Sequence, residues 1–316
     1  MITAKNYAAQ AERGLLEYAD RVLALSGSKY AEHDAKVLLS ASMLLKDAIK
    51  FAIPDYGVIF DDKLKGLSEQ ILRLPFKNIS IEFFTPKPEH IEEGRQYAAK
   101  HILLVEEFTQ KELFSHLPSD SEQFKIKMND EHYISVTSIL CIEGTWLVNT
   151  FGLIMPSQWD KSSGSYTFTN HSLIHLEEMI KIQGQEKAIN CLQGEVISEV
   201  VSLLEFLEAL SCSNVRHERM EKIDQSINAR RIRDGKLPIY ETHILTIDAG
   251  KTSSIPKTGT EGYHNSPRQH LRRGHIRKLS SGNKIWINAC TVGKAENGII
   301  EKSYRIENSS GITNNE

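Results

Sequence analysis

The sequence predicts an α+β fold, in which N-terminal helices and a mainly antiparallel sheet are followed by further helices and a small C-terminal β module. Apolar residues recur at steps of three and four over the first fifty residues, as amphipathic helices require. Between residues 79 and 154 they instead alternate with polar residues, which is typical of strands. Helical spacing returns at 185–210, and short strand-like segments follow from residue 239.

Length and composition agree with this fold class. The chain has 316 residues, of which 40% are hydrophobic and 25% charged, so it can bury a sizeable core and is long enough for more than one domain. The changes in pattern predict an α+β body at 1–180, a helical segment at 181–238, a basic β module at 239–306 and a disordered tail at 307–316.

Two N-terminal helices are expected to form an antiparallel hairpin. The apolar stripe of the first consists of Tyr7, Ala11, Leu15, Tyr18, Val22 and Leu25. The second directs towards the core Ala35, Leu38, Leu39, Ser42 and Leu45. It stops before Pro54, which disfavours helix at the preceding residue. Such apolar faces also join copies of one chain, so a homo-oligomer through these helices remains an alternative.

The middle of the body is predicted to be a sheet preceded by a short helix at 61–72. The expected strands are 79–83, 101–108, 124–128, 133–141 and 145–154. The last two flank Glu143-Gly144, so they should form a hairpin.

Two further helices are predicted after this sheet. The first spans 185–210, and the second is a highly charged helix at 216–233. Gly235 follows as the expected left-handed residue beyond the helix end. We expect these helices to cover one face of the C-terminal β module, because a small sheet needs a second layer.

The C-terminal module should contain four strands and a surface loop. The predicted strands are 239–247, 271–279, 285–290 and 299–306, with the loop at 248–265 and a turn at 292–298. The second and third strands are expected to form a hairpin with a Ser-Gly or Gly-Asn tip.

Charge is distributed unevenly along the chain. Residues 262–295 contain seven Lys or Arg and no Asp or Glu, whereas residues 1–261 contain 29 bases and 37 acids. The densest part is 264–279, with three histidines, four arginines and one lysine. A basic island on an acidic protein indicates a local anionic partner.

On a strand at 271–279, Arg273, His275 and Arg277 would share one face and Arg272, Ile276 and Lys278 the other. Arginine suits bidentate phosphate contacts, and an aromatic ring can stack on unpaired bases. The predicted nucleic-acid-binding residues are therefore Arg268, Arg272, Arg273, His275, Arg277, Lys278, Lys284 and Trp286. In the alternative interpretation, the cations pair with the acidic body and Trp286 lies in the core.

Three other chemistries remain open for the basic stretch. An endoribonuclease would use as candidate catalytic residues His270, Arg273, His275 and Arg277. A zinc site would use His264, His270, His275 and Cys290, but this spacing matches no structural zinc pattern. A phosphate-signal site at Gly274 lacks the glycine-rich motifs of nucleotide-binding loops. We therefore predict no metal and no cofactor.

The remaining features predict a cytoplasmic protein without a membrane span. Cys141, Cys191, Cys212 and Cys290 form no CxxC motif and, with no signal peptide, should be reduced, buried thiols. No segment approaches the roughly 20 apolar residues of a membrane helix.

Three C-terminal segments carry a resemblance to known sequences. Residues 230–245, then Ser-Pro-Arg-x-His-x-Arg-Arg-Gly-His-x-Arg at 266–277 and Gly-Asn-Lys-Ile-Trp-Ile at 282–287, resemble a family of uncharacterised phage and prophage proteins. Arg-Leu-Pro-Phe at 73–76 is also similar to those proteins. The resemblance implies a mobile-element origin and a bacterial cytoplasm, and it supplies no reaction or catalytic residue. We therefore expect a phage-type protein that binds RNA or single-stranded DNA, or alternatively an inhibitor or interaction protein that docks on a host protein.

Overall fold

The computed structural model describes residues 5–25, 28–59, 70–71, 74–86, 97–109, 112, 132–159, 166–213, 215–220, 223–247, 268–272, 275–287, 290–292 and 294–299. Within these residues the fold is α+β, as predicted. The described α-helices are α1 (Tyr7–Leu23), α2 (Ala31–Asp47), α3 (Leu173–Gln183), α4 (Gln185–Leu210) and α5 (Gln225–Arg233). The described strands are β1 (Ile49–Ala52), β2 (Gln70–Ile71), β3 (Asn78–Phe84), β4 (Ala98–Thr109), β5 (His132–Ile142), β6 (Thr145–Val148), β7 (Phe151–Pro156), β8 (Gln158–Trp159), β9 (Thr167–Asn170), β10 (Val215–Met220), β11 (Thr242–Ile247), β12 (Arg268–Arg272), β13 (His275–Lys278), β14 (Lys284–Ile287), β15 (Cys290–Val292) and β16 (Lys294–Ile299).

Nine strands form one mixed sheet. Its order is β10-β11-β1-β3-β4-β5-β7-β9, and β6 pairs with the remaining part of β5. Strand β1 is parallel to β11 and β3, and the other neighbours are antiparallel. Smaller sheets are formed by β12 with β15 and β16, by β13 with β14, and by β2 with β8.

Helices cover both faces of the nine-stranded sheet. In β4, Ile102 and Leu104 pack with α1 and α2, whereas Leu103 and Val105 pack with α4. Successive side chains of a strand point to opposite faces, so each face has its own apolar core. This arrangement explains why β7 is buried along its whole length.

The predicted helical hairpin is confirmed. The Ser42 hydroxyl on α2 donates a hydrogen bond to the Glu12 carbonyl on α1, 3.1 Å away. Leu25 and Leu39, which were predicted to be buried, are instead exposed. The error at Leu25 arises because α1 ends at Leu23, before the apolar pattern does.

Gly14 determines how closely α1 approaches the sheet. A Cβ atom at this position would lie 2.6 Å from Cδ1 of Trp146, a buried side chain on β6. Alanine normally stabilises a helix interior by about 1 kcal/mol relative to glycine. Here we expect Gly14→Ala to lower the free energy of unfolding by about 1–3 kcal/mol, because the indole has to move within a packed core.

Urea denaturation measures this effect, and Gly194→Ala on α4 is the matched control. A Cβ atom at residue 194 meets no described atom within 4 Å, so the control should be up to about 1 kcal/mol more stable than wild type. Stabilisation by both substitutions would contradict the close packing of α1 on Trp146.

The predicted β5–β6 hairpin is also confirmed. Glu143 and Gly144 have φ values of 51° and 85°, the left-handed conformation that a tight two-residue hairpin turn requires. The predicted second strand of this hairpin, 145–154, is interrupted at Asn149 and Thr150. Beyond this break, β7 pairs with the first half of β5 and β6 pairs with the second half.

Several predicted elements were wrong. Strand β1 lies within the stretch predicted to be helical, β2 at the end of the predicted helix 61–72, and β10 within the predicted helix 216–233, while helix α3 was not predicted. For β10 the reason is tertiary, since all six of its residues pair with β11. Gly235 does occupy the predicted position after α5, with φ 71°.

The C-terminal assignments also need correction. Strand β11 belongs to the nine-stranded sheet, and α4 packs on that sheet rather than on a C-terminal module. The predicted strand 271–279 is divided between β12 and β13, which have different partners. The predicted turn 292–298 contains the end of β15 and most of β16. The strand at 124–128, the loop at 248–265 and the tail at 307–316 lie outside the described residues.

Two smaller predictions can be compared directly. Cys141 and Cys212 are free and buried, whereas Cys191 is free but exposed, contrary to the expectation of a buried thiol. Among the described helices, none combines the length and apolar character needed to cross a membrane.

Candidate functional site

The centre of the basic stretch forms the predicted β-hairpin, made of β13 and β14. Lys278 lies opposite Lys284, and Arg277 lies opposite Ile285. The turn between the strands includes Ser281 and Gly282, in agreement with the predicted Ser-Gly tip. Gly282 has φ 88°, and its amide donates to the Leu279 carbonyl at 2.9 Å, which is typical of a three-residue hairpin loop with glycine in the left-handed position.

The turn end of this hairpin is attached to the end of α4. The Lys284 ammonium lies 2.8 and 3.0 Å from the two carboxylate oxygens of Glu208. The Ser213 amide also donates to the Lys284 carbonyl at 2.8 Å. Because the Glu208 side chain is only 9% exposed, this ion pair is partly desolvated and fixes the turn end of the hairpin. Lys284 therefore pairs with the acidic body, as in the alternative interpretation of the basic stretch.

Two other predicted cations remain at the surface. Arg277 and Lys278 are both exposed, and no ion pair to another described residue is recorded for either. As consecutive strand residues they point to opposite faces of the hairpin. The hairpin thus presents one exposed cation on each face, and Lys278 shares its face with Lys284, its cross-strand partner next to the turn.

The other predicted site residues are placed only in part. Arg268, His270 and Arg272 lie on β12, which pairs with β15 and β16 and belongs to a different sheet from the hairpin. His275 and Trp286 lie on β13 and β14. The side chains of these five residues, and Arg273 and His264 entirely, are outside the described part. Of the predicted face of Arg273, His275 and Arg277, the last two lie on β13 and Arg273 lies outside the described residues.

No family model matches this chain, and neither a curated protein nor a solved structure is significantly similar to it. The resemblance of the C-terminal motifs to phage and prophage proteins therefore stays a prediction. Function has to be inferred from the geometry and charge of the chain itself.

Sequence reasoning did not identify a buried cluster around Lys50 on β1. The Lys50 ammonium lies 2.6 Å from the Lys46 carbonyl and 4.2 Å from the centre of the Tyr240 ring. Burial lowers the pKa of Lys50 to about 8. The Tyr240 hydroxyl donates to the Glu12 carboxylate, and burial raises the pKa of Tyr240. Lys50 is 6% exposed, so the cluster joins α1, β1 and the segment before β11 rather than facing an open cleft.

A second buried group, Glu82 on β3, binds the start of α1. Its carboxylate accepts hydrogen bonds from the Tyr7 amide at 2.8 Å and the Lys5 amide at 3.2 Å. These amides lie at a helix N-terminus, where backbone donors and the helix dipole favour an anion. Burial nevertheless raises the pKa of Glu82, with the backbone hydrogen bonds acting in the opposite direction.

A third cluster surrounds two histidines at the start of α3. Nδ1 of His175 lies 2.5 Å from the Thr150 hydroxyl, and burial lowers the pKa of His175. Nε2 of His171 lies 3.1 Å from the Thr169 hydroxyl. Burial lowers the pKa of His171 to about 4, so this ring is neutral at physiological pH. Asp34 on α2 accepts hydrogen bonds from the first residues of α3.

Within the described part of the chain, no three His, Cys, Asp or Glu side chains converge to hold a metal ion. The buried clusters are made of residues far apart in sequence, such as Glu12 with Tyr240 and Asp34 with Ser172. No local motif marks them, so only the fold brings them together. Of the groups described above, only the hairpin was predicted from the sequence, through its charge and its turn residues.

Proposed function

We propose that this protein binds single-stranded nucleic acid through the β13–β14 hairpin. The proposal rests on one observation. The hairpin is fixed near its turn by the Lys284–Glu208 ion pair and exposes Arg277 and Lys278 on a segment that lacks acidic residues, in an otherwise acidic chain. Such a segment attracts phosphates while the body discourages non-specific adhesion.

The hairpin geometry suits an extended phosphate backbone. With Arg277 on one face and Lys278 on the other, successive phosphates can contact either side of the two-stranded ribbon. Attachment to α4 reduces the conformational entropy that binding would otherwise cost. We assign base stacking to Trp286 on β14, which makes an unpaired strand the preferred ligand.

Replacing both exposed cations tests the proposal. We expect Arg277→Ala/Lys278→Ala to bind labelled oligouridylate more weakly and to reduce the slope of log affinity against log salt by about 1.4, because each lost phosphate contact contributes roughly 0.7. Fluorescence anisotropy at several salt concentrations measures both quantities. Lys181→Gln/Lys187→Gln, which also removes two exposed positive charges, should leave the slope close to that of wild type.

Other outcomes would contradict the proposal. Absence of binding to oligouridylate and to single-stranded DNA at low salt would exclude it. Recovery of one stoichiometric host protein from a nuclease-treated lysate, without nucleic-acid binding, would favour the host-protein alternative. Cleavage of RNA by wild type but not by His275→Ala would replace simple binding by endoribonuclease activity.

A further inference from the structure

A second group of cations lies where the end of α5 meets α1. We name it the α5 cationic surface, and it consists of Arg13, Arg230, Arg231, Arg233 and Lys236. All except Arg231 are exposed, and the Arg230 side chain is 77% exposed. Arg13 belongs to this surface because its guanidinium donates to the Gly235 carbonyl at 3.4 Å.

The end of α5 has a defined backbone geometry. The Lys236 amide donates to the Arg231 carbonyl at 2.8 Å, and the Gly235 amide donates to the Ile232 carbonyl at 3.0 Å. This pair of bonds is a Schellman motif, which needs a left-handed residue, and Gly235 with φ 71° provides it. The motif fixes the direction in which the chain leaves the helix and therefore where Lys236 lies.

Two asparagines fix the segment that follows. Asn228 donates to the Ile239 carbonyl and accepts from the Ile239 amide, both at 2.8 Å. Asn6, at the start of α1, donates to the Pro238 carbonyl at 2.8 Å and accepts from the Tyr240 amide at 3.0 Å. These bonds hold α5 against α1, so the cations from the two elements form one surface.

Two of the guanidinium groups are also oriented directly. Nε of Arg231 donates to the Leu237 carbonyl at 2.8 Å, and Arg13 contacts the Gly235 carbonyl. Each guanidinium has five N–H donors, so most of them remain available after one such bond. Oriented guanidiniums lose less entropy when they bind a phosphate than mobile ones do.

The charge of this surface is poorly balanced. Asp234 lies 3.9 Å from Arg230, and this is the one ion pair recorded for the surface among the described residues. Interaction with the dipole of a short helix is worth about 0.3–1 kcal/mol for a cation near the C-terminus, whereas neighbouring like charges repel by a few tenths each. Helix stability therefore does not account for five clustered cations on an acidic body, and an anionic ligand would.

The α5 cationic surface and the hairpin lie at opposite ends of the β10–β11 pair. Residues 236–241 lead from the surface into Thr242, the first residue of β11. The hairpin is attached at Cys212 and Ser213, just before Val215, which pairs with Ile247 at the other end. Five strand steps separate Thr242 from Ile247, or roughly 17 Å.

We propose that the α5 cationic surface is a second contact for the phosphate backbone of a nucleic acid that also reaches the hairpin. The nature of the ligand rests on the proposed function. The position of this second contact rests on the geometry of α5 and α1.

The test compares wild type with Arg230→Gln/Arg233→Gln, which removes two exposed guanidiniums and leaves both asparagine bridges in place. Labelled oligouridylate is titrated by fluorescence anisotropy at several salt concentrations. We expect several-fold weaker binding and a slope of log affinity against log salt that is smaller by about 1.4. The Lys181→Gln/Lys187→Gln control should match wild type, and equal urea midpoints would show that all variants are folded.

The outcomes separate the two proposals. A smaller slope of log affinity against log salt in both the α5 and the hairpin variants supports both contacts. A smaller slope in the hairpin variant alone overturns the second contact and supports the proposed function. A smaller slope in the α5 variant alone supports nucleic-acid binding by the α5 cationic surface and overturns the assignment of binding to the hairpin. Absence of any binding by wild type overturns both.

Discussion

Replacing Asp34 by alanine is expected to lower the free energy of unfolding by about 2–4 kcal/mol, because several buried donors lose their acceptor at once. Asp34 is 4% exposed and accepts from the Ser172 hydroxyl at 2.8 Å, the Leu173 amide at 2.9 Å and the Ile174 amide at 3.1 Å. The two amides begin α3 and have no partner within the helix. Asp34 thus links α2 to the start of α3.

Urea denaturation of Asp34→Ala and Asp34→Asn measures this contribution. Asparagine keeps one side-chain oxygen but removes the negative charge that is favourable at a helix N-terminus. The free energy of unfolding of Asp34→Asn should therefore lie between those of wild type and Asp34→Ala. Glu32→Ala, an exposed carboxylate two residues earlier on α2, is the control and should change stability by less than about 0.5 kcal/mol. Equal stability of Asp34→Ala and this control would show that the hydrogen bonds do not stabilise α3.

Acid is expected to destabilise the protein through His171. Its pKa is lowered from 6.5 to about 4, first by burial and then by the nearby His33. The ring lies against Gly152, where a Cβ atom would come within 2.1 Å of its Cε1 atom. Nδ1 of His171 is enclosed and has no hydrogen-bond partner among the described residues, so no acceptor there offsets the cost of protonation.

The direction follows from proton linkage. Between pH 6.5 and pH 4 the unfolded chain binds a proton at His171 that the folded chain does not, so the free energy of unfolding falls as the pH falls. The full contribution is about 3 kcal/mol, present above pH 6.5 and lost at about pH 4. Denaturation at pH 6.5 and pH 5 samples this histidine before most carboxylates titrate.

A neutral replacement isolates the effect. His171→Gln should show a flatter decrease in stability between pH 6.5 and pH 5 than wild type. His33→Gln removes an exposed histidine and only the smaller cause of the shift, so most of the decrease should remain. An unchanged decrease in His171→Gln would show that another group controls the acid response.

Sequence patterns predicted the elements whose signals are local. The α1–α2 hairpin, α4 and strands β3 and β4 follow from apolar periodicity, and the β5–β6 turn follows from Glu143-Gly144. The predictions failed where pairing between distant segments decides the structure. Residues 215–220 are highly charged and resemble a helix, but they pair along their whole length with β11.

In the candidate site, too, the sequence predicted the local features and missed the contacts between distant segments. Its hairpin and its glycine tip follow from local turn chemistry, and its positive charge follows from composition. The partner of Lys284 did not, because Glu208 lies 76 residues away. The α5 cationic surface was likewise not predicted, since the contact of Arg13 with Gly235 spans 222 residues.

The sequence by itself determined the α+β class, the amphipathic helices and the location of positive charge, because each depends on periodicity or composition over a few turns or strands. The tertiary structure alone decided which charges are neutralised and which face solvent. An ion pair or a buried carboxylate depends on two segments meeting, and no local pattern encodes that meeting. Lys284 is therefore paired with Glu208, whereas Arg277 and Lys278 face solvent.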